Sequence, residues 1–511
     1  MSLPSLSAHA RPQRLSALLQ GLATVGGDDD REIAGLETDS RRVVPGDLFL
    51  ACAGTRTHGA RYIDDAVRAG ASAIVYEQGG GYAPAEDRAA SSGVPLVGVA
   101  GLSHRLGLIA ARFYAEPSRD MIVIGITGTN GKTSCCHYLA QALVADGAPC
   151  GVIGTLGYGA YGALHAGSHT TPDAVTLQGE FAALRAAGIR RVAMEVSSHA
   201  LDQERTQGVT FAGAIFTNLT REHLDYHADL TAYAQAKKKL FLMPGLCYAV
   251  INHDDVFGRE LLAGLARPVV GVRYGLGDEV RQADGGRYVH GAIVQRDLAG
   301  MELQVSSSWG TGRLRSALLG QFNASNLLAV LAMLLLMEIP FDVALARLSR
   351  LHAVPGRMER FGGGAGQPLV IVDYAHTPDA LMQVLQTLRL HCAGSLWCVF
   401  GCGGDRDRGK RPLMGAVAER CADRVIVTSD NPRREDPQVI IDQILTGIRQ
   451  VQAVARIPDR AQAIRQAVTG AQSGDIVLIA GKGHEDYQQV GDERLPFSDR
   501  EQVQRLLGEA A

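Results

Sequence analysis

The chain carries almost no net charge: 50 lysines and arginines against 53 aspartates and glutamates leave −3 over 511 residues. A polybasic surface of the kind that grips nucleic acid is therefore not expected. Cysteine is scarce and scattered. The nine cysteines are odd in number and show no C-x-x-C spacing; Cys135 and Cys136 are adjacent, and three residues separate Cys398 from Cys402. That argues against a disulfide framework and reads as free buried thiols in a reducing cytoplasm. The N-terminal stretch MSLPSLSAHARPQRLSALLQ has no continuous apolar core, so a signal peptide is not expected. Long hydrophobic runs are missing too. The longest, Leu327–Met337, stops at Glu338 and Pro340. It is too short to insert in a membrane and predicts a buried helix. No short repeat or low-complexity tract is visible. Hydrophobic residues at 46% and charged residues at 20% describe a globular protein, long enough for about three domains.

Glycine, by contrast, is abundant at 60 residues, which suits an enzyme with many tight strand-to-helix turns. The most informative are in Met121–Ser134, MIVIGITGTNGKTS. A β-branched run, Ile122-Val123-Ile124, enters a turn ending in Gly131-Lys132-Thr133. Glycines there let backbone N–H groups approach phosphate oxygens. The lysine supplies a charge for β- and γ-phosphates, and the threonine hydroxyl can ligate Mg²⁺. The strict P-loop pattern would place glycine at 126, where this chain has Ile126; its glycines are Gly125, Gly128 and Gly131. The alternative is a chance glycine-rich turn, which GKT after an apolar strand disfavours. Nucleoside triphosphate binding is the expectation.

Three sections suggest themselves: 1–118, 119–356 and 357–511. The first holds short strands at Leu48–Ala51 and Ala73–Tyr76. The second starts at the phosphate-loop strand and continues with strands at Val192–Val196, Ala214–Thr217 and Ala249–Asn252, predicting a parallel α/β sheet. A polar β-like stretch, Arg287–Leu314, follows. The third has strands at Leu369–Val372, Leu396–Phe400, Val425–Thr428 and Ile476–Ile479. Each runs into a chemically loaded turn: DYAHTPDA, GCGGDRDRGKRP, SDNPRREDP and AGKGHEDYQ. Ligands bind at the carboxyl ends of such strands, so a second ligand site is expected there.

Glu195 ends the strand Val192-Ala193-Met194, where a carboxylate near a phosphate loop can hold Mg²⁺. A helix cap or salt bridge is the alternative, and the polar run Ser197-Ser198-His199 favours the ligand role. The segment 218–227, NLTREHLDYH, concentrates two histidines, two acids and an arginine. Lys237-Lys238-Lys239 reads either as a solvated helix face or, if desolvated, as an amine nucleophilic toward CO₂. Arg433, set by Asp430-Asn431-Pro432, suits bidentate carboxylate recognition. Arg406 offers a second fork, and Glu485 an acceptor for an ammonium. As a set these three fit a zwitterionic amino acid.

The loop Gly128–Thr133 resembles the signature of the Mur ligases, which build the peptide of bacterial cell-wall precursors, and that family's loop has the same shifted register. Further similar segments run the length of the chain: DSRRVVPGDLF (39–49), HTTPD (169–173), MEVSSHAL (194–201), FTNLTREHLDYH (216–227), GQFNASNLLA (320–329), VPGRMER (354–360), VDYAHTPDAL (372–381), DNPR (430–433) and GKGHEDYQ (481–488). The resemblance implies three α/β domains: a UDP-binding one, a central ATPase and a C-terminal Rossmann-like one. It implies an ATP- and Mg²⁺-dependent amide ligase acting on UDP-N-acetylmuramoyl-L-alanyl-D-glutamate, a cytoplasmic enzyme expected to be a monomer. DNPR resembles the branch that adds meso-2,6-diaminopimelate; the lysine-adding branch lacks that arginine.

Roles follow by resemblance. Gly128, Thr129, Asn130, Gly131, Lys132, Thr133 and Ser134 would hold ATP, with Thr133, Glu195 and His223 near magnesium. Lys237 matches the family's N-carboxylated lysine, whose carbamate supports a metal ion. Thr38, Ser40, Thr55, Arg56 and Thr57 fall where the UDP-sugar is held. His169, Thr170, Thr171, Ser197, Gln203 and Arg205 fall where the sugar-dipeptide is held. Arg406, Asp430, Asn431, Pro432, Arg433, Gly481 and Glu485 would bind diaminopimelate. The chain departs from the pattern at Glu222, where aspartate is commoner, at Ala228, where glycine follows the YH pair, and at His169, where asparagine is usual. The rival is folylpolyglutamate synthase, a relative with a similar loop; a non-catalytic nucleotide switch is the rival from another class.

Overall fold

The computed structural model describes residues 11–54, 57–79, 93–145, 147–167, 169–223, 226–283, 285–364 and 366–508. Three sheets organise it. The N-terminal sheet has four parallel strands in the order Gly35–Glu37, Asp47–Ala51, Ala73–Gln78, Leu96–Ala100. The central sheet has eleven strands. Its parallel heart runs Cys150–Gly154, Arg191–Glu195, Ile122–Thr127, Gly213–Phe216, Tyr248–Asn252, Val270–Gly275. The polar stretch after it forms the long antiparallel strands Arg287–Asp297, Gly300–Ser307 and Gly310–Ser316. The C-terminal sheet runs Glu359–Gly362, Leu369–Asp373, Ile476–Ala480, Leu396–Phe400, Arg424–Thr428, Ala455–Ile457, parallel after its first strand.

The strands expected from sequence appear, with some ends moved by one or two residues; Ala73–Tyr76, for example, extends to Gln78. The apolar run at 327–337 lies in the helix Gln321–Leu336, whose side chains are buried from Leu327 to its end. It packs with the phosphate-loop helix Lys132–Val144 on one face of the central sheet. No described helix is long and apolar enough to cross a membrane. The first domain is not sealed off from the second: its core of Leu48, Val75, Ile109 and Phe113 takes in Val175 and Ala182 from the helix Ala174–Ala186. The third core likewise takes in Leu319, with Phe322 packed against it. All nine cysteines are free; five are buried, but Cys247 is exposed and Cys52, Cys392 and Cys421 are only partly covered. Thiol burial is therefore less complete than composition suggested.

Candidate active site

The shifted glycine register has a structural reason. Ile126 is a buried strand residue paired with Glu195, and its carbonyl accepts from Val196 N at 2.8 Å. The phosphate loop opens only after Thr127. At Gly128 the backbone has φ 149°, and a Cβ there would lie 1.9 Å from Thr217 Oγ1. At Gly131 φ is 86°, and a Cβ would meet Asn326 Oδ1 at 2.6 Å. Side chains thus exclude everything but glycine at both places. The loop is braced from the segment after the next strand: Thr129 N donates to Asn218 O at 2.8 Å, Asn130 N to Asn218 Oδ1 at 2.9 Å, and Thr217 Oγ1 to Asn130 O at 2.6 Å.

Two lysines converge on this loop. Lys132 Nζ donates to Gly128 O and Thr129 O, both at 2.8 Å. Lys237 Nζ donates to Gly128 O at 2.9 Å and lies 4.1 Å from the centre of the Tyr233 ring. Lys237 is only 1% exposed, so the solvated-face reading fails for it and holds for its neighbour Lys239. Burial pushes the Lys237 amine well below the ordinary lysine range, and the charge of Lys132 pushes the same way against Glu222. No described carboxylate forms an ion pair with it. Burial lowers Lys132 too, opposed by Glu222 and Glu195.

Glu195 is 1% exposed. Its carboxylate accepts from Thr133 Oγ1 at 2.9 Å, Thr155 N at 2.8 Å and Thr155 Oγ1 at 3.1 Å. A carboxylate and a hydroxyl beside a phosphate loop are the hard oxygen donors magnesium takes when phosphate oxygens complete its shell. Among the described residues, no group of three or more His, Cys, Asp or Glu could hold a metal by itself. His223 sits with its backbone in the left-handed region at φ 57°. Its ring lies edge-on to His199 at 4.7 Å and to Tyr233 at 6.0 Å. Burial brings His223 down to about 4, with Glu222 opposing and His199 assisting.

A single cleft of about 1650 Å³ runs from the phosphate loop between the second and third domains. It is lined by Thr129–Ser134, Glu195, His223 and Lys237. His169, Thr170, Thr171, Ser197 and Arg205 line it from the central domain; Arg406, Arg433 and Glu485 line it from the third. Thr171 Oγ1 donates to Glu195 O at 2.9 Å and accepts from Ser197 N at 3.0 Å, while Arg205 Nη1 donates to Thr171 O at 3.1 Å. Gln203 lies behind, accepting from Arg205 Nε at 2.9 Å.

At the third-domain end of the cleft, Arg433 has a left-handed backbone, φ 51°, and its Nη1 donates to Gly404 O at 2.8 Å. Burial lowers Arg433, and neighbouring Arg406 lowers it further. Glu485 is already engaged: its Oε2 accepts from Lys482 Nζ at 2.7 Å and Asn431 Nδ2 at 2.8 Å. Asp430, Asn431, Pro432 and Gly481 are buried behind the wall; a Cβ on Gly481 would meet Asp430 Oδ2 at 2.6 Å.

The cleft does not include Thr38, Ser40 or Thr57. Thr38 and Ser40 follow the strand Gly35–Glu37, and Thr57 follows its parallel neighbour Asp47–Ala51. They share one carboxyl edge of the N-terminal sheet. Thr55 and Arg56 lie outside the described residues, as do Leu224 and Asp225.

Sequence reasoning quoted three segments without giving their residues a role, and these also line the cleft: Asn323 and Asn326, Arg357, and Asp373 to His376. Arg357 Nη2 reaches Thr133 Oγ1 at 3.4 Å, and its guanidinium lies 4.1 Å from the Tyr374 ring centre. The signal available was a polar residue within an apolar helix or at a strand end.

Three family descriptions match in chain order: Mur ligase family, catalytic domain, over 32–114; Mur ligase middle domain over 126–334; and Mur ligase, glutamate ligase domain, over 356–483. A relative from Alkalilimnicola ehrlichii, "UDP-N-acetylmuramoyl-L-alanyl-D-glutamate--2,6-diaminopimelate ligase", is 50% identical over 503 residues, 97% of this chain and 99% of its own. The chain belongs to the Mur ligase family. A relative of the same name from Coxiella burnetii is 51% identical over 478 residues, covering 93% of this chain and 96% of its own. A solved Mur ligase structure, also bearing that name, is 33% identical with a TM-score of 0.67, covering 98% of this chain and 99% of its own.

Proposed function

We propose that this Mur ligase joins UDP-N-acetylmuramoyl-L-alanyl-D-glutamate to meso-2,6-diaminopimelate, with ATP as the energy source. One observation carries the reading: a single cleft holds the phosphate loop, the Thr171–Arg205 wall and the Arg406, Arg433 and Glu485 wall. A D-glutamyl carboxylate oxygen attacks the γ-phosphorus, the bond from that phosphorus to the β,γ-bridging oxygen breaks, and the products are an acyl phosphate and ADP. The amine of diaminopimelate attacks the acyl carbon, phosphate departs and the nitrogen loses a proton. The chain's work is positioning and charge neutralisation. Lys132 faces the transferring phosphoryl group once the nucleotide draws it from its two loop carbonyls. Thr133 and Glu195, with His223 nearby, would hold magnesium, which when bound would supply further neutralisation of the phosphates. Lys237, buried and lowered, attacks CO₂ through its neutral amine and loses one N–H proton to solvent, and the resulting carbamate would be a second anionic donor for the metal. Thr38, Ser40 and Thr55–Thr57 hold the UDP end on the first domain. We divide the domains at 118/119 and 356/357. We assign the protein to the cytoplasm, as a monomer.

The test offers the purified protein UDP-N-acetylmuramoyl-L-alanyl-D-glutamate, ATP and either diaminopimelate or lysine, with product identified by mass. The expected product contains diaminopimelate. A lysine product at equal rate overturns the branch, and ADP formation without any UDP-sugar substrate overturns the reaction.

A further inference from the structure

The second and third domains touch across the cleft through few polar groups. The chain crosses between them once, through Val354–Met358, and beside that crossing Leu319 and Phe322 of the central domain pack into the third domain's core. This is an apolar pivot. Apart from it and the Arg357 Nη2–Thr133 Oγ1 hydrogen bond beside it, a carboxylate–imidazole contact spans the gap: His376 Nε2 lies 3.0 Å from Glu222 Oε1. Among the described residues it is the only carboxylate–base pair that joins these two domains.

Both ends of the contact are held. Glu222 precedes His223, whose left-handed backbone turns the chain sharply there, a conformation a non-glycine residue keeps only when its surroundings require it. The Glu222 side chain is 13% exposed. On the other side, His376 Nδ1 lies 2.8 Å from Tyr374 O, and Lys410 Nζ donates to His376 O at 2.8 Å. Tyr374 O and the Glu222 carboxylate each face one ring nitrogen, so the imidazole is held from both sides. Glu222 and His376 line the same cleft as Lys132 on one side and Ala375 and Asp379 on the other.

We infer that Glu222 and His376 form a latch that sets the closed spacing of the two domains, so that both are positioning residues for the ligase reaction. The latch works by geometry. Neither residue need touch the reacting atoms; their hydrogen bond fixes how far the third domain's wall, with Arg433 and Glu485, stands from the phosphate loop. When the bond is lost, the apolar pivot still connects the domains, but the third domain swings about it and the acceptor wall spends less time in register with the phosphates. Domain closures of this kind gate turnover, and the UDP-sugar end of the substrate is assigned to the first domain, away from this contact.

The kinetic part of the idea rests on the ligase reading; the conformational part does not. The experiment uses the full chain as wild type, Glu222→Ala, Glu222→Gln, His376→Ala and the Glu222→Ala/His376→Ala double variant. Small-angle X-ray scattering gives the radius of gyration, and initial rates give kcat and KM. Both single alanine variants are expected to expand relative to wild type and to lose about tenfold in kcat, with KM for the UDP-sugar substrate little changed. The double variant is expected to be no worse than the poorer single one, since one shared bond is lost in each case. Glu222→Gln keeps an acceptor oxygen and should restore most of the compactness and rate. Circular dichroism confirms that each variant is folded; Glu222→Gln carries the test should an alanine variant fail to fold. Unchanged radius in the folded alanine variants, or losses that simply multiply in the double variant, overturn the latch. If wild type shows no ligase activity, the proposed reaction falls, while the scattering comparison still decides the latch.

Discussion

Lys237 illustrates how one side chain can be legible as a type and illegible as a state. Three consecutive lysines ordinarily mark a wet helix face, yet Lys237 is sealed against Tyr233 while Lys239 is exposed. Only the packing of the helix Leu230–Lys238 against the phosphate loop decides which lysine turns inward. Lys237→Ala should be nearly inactive, a loss of roughly a hundredfold or more in kcat, of the size seen when one charge-stabilising group is removed from a water-excluded site. Added acetate or propionate should restore part of it by supplying the missing carboxylate. Steady-state assays with and without added acid decide this; full activity of the variant would make the carbamate unnecessary. Arg433 belongs to the same scale. Lysine lacks the second carboxylate of diaminopimelate, so it would leave this partly buried guanidinium unpaired, which costs several kcal/mol, on the order of 3. Arg433→Ala should raise the KM for diaminopimelate far more than that for ATP, and need not gain lysine activity because Arg406 remains. The turn sequence pointed to Arg433, but it gave no hint that Glu485 would already be engaged by Lys482.

Elements were read well where a short apolar run met a glycine-rich turn, because that pattern has few other meanings. The four C-terminal strands appear side by side with their loaded turns at one edge. Missing from the sequence reading were ion pairs between elements far apart in the chain. Arg460 opens the helix Arg460–Gly470, and Asp499 opens the helix Asp499–Leu507. The two side chains are fully buried and meet in a two-pronged contact, Nε–Oδ1 and Nη2–Oδ2, each 2.7 Å. Arg460 Nη2 also donates to Ala480 O at 2.9 Å, at the end of the strand that leads to the acceptor turn. Asp499→Ala leaves the arginine buried without its partner and should destabilise the third domain by about 3–5 kcal/mol. Urea denaturation followed by tryptophan fluorescence measures it, since Trp397 lies in that domain's sheet.

At the scale of the whole molecule, the joint between the second and third domains should lose stability in acid. His137 on the phosphate-loop helix is 5% exposed, and its Nε2 has no hydrogen-bond partner; His484 Nδ1 in the third domain is likewise buried without one. Burial, with the charge of Arg357 assisting, lowers His137 to about 4 and His484 to about 3. An unfolded histidine titrates at about 6.5. Between those values the unfolded chain binds protons that the folded chain refuses, so stability is full above about 6.5 and is lost as pH falls toward 4. For His137 alone the loss across that window is about 3 kcal/mol. His137→Gln should flatten the acid limb of a stability–pH curve measured by urea denaturation between pH 7 and pH 5. An unchanged slope would mean that the imidazole accepts its proton in the folded protein. No pattern along the chain brings these two histidines together, because the association exists only once the domains meet.

One carbonyl, Gly128 O, receives both lysine amines. A neutral amine on Lys237 has two hydrogens, and the loop uses one. Carbamate formation exchanges a hydrogen for a carbon and leaves the other on nitrogen, now on a flatter and more acidic N–H. The tether to Gly128 can therefore survive the chemistry, and the modified side chain gains its negative end without releasing the glycine turn that it helps to hold. In the proposed reaction Lys132 turns to the phosphates, and Gly128 O would then keep Lys237 as its other donor, so the loop would hold its shape between one nucleotide and the next.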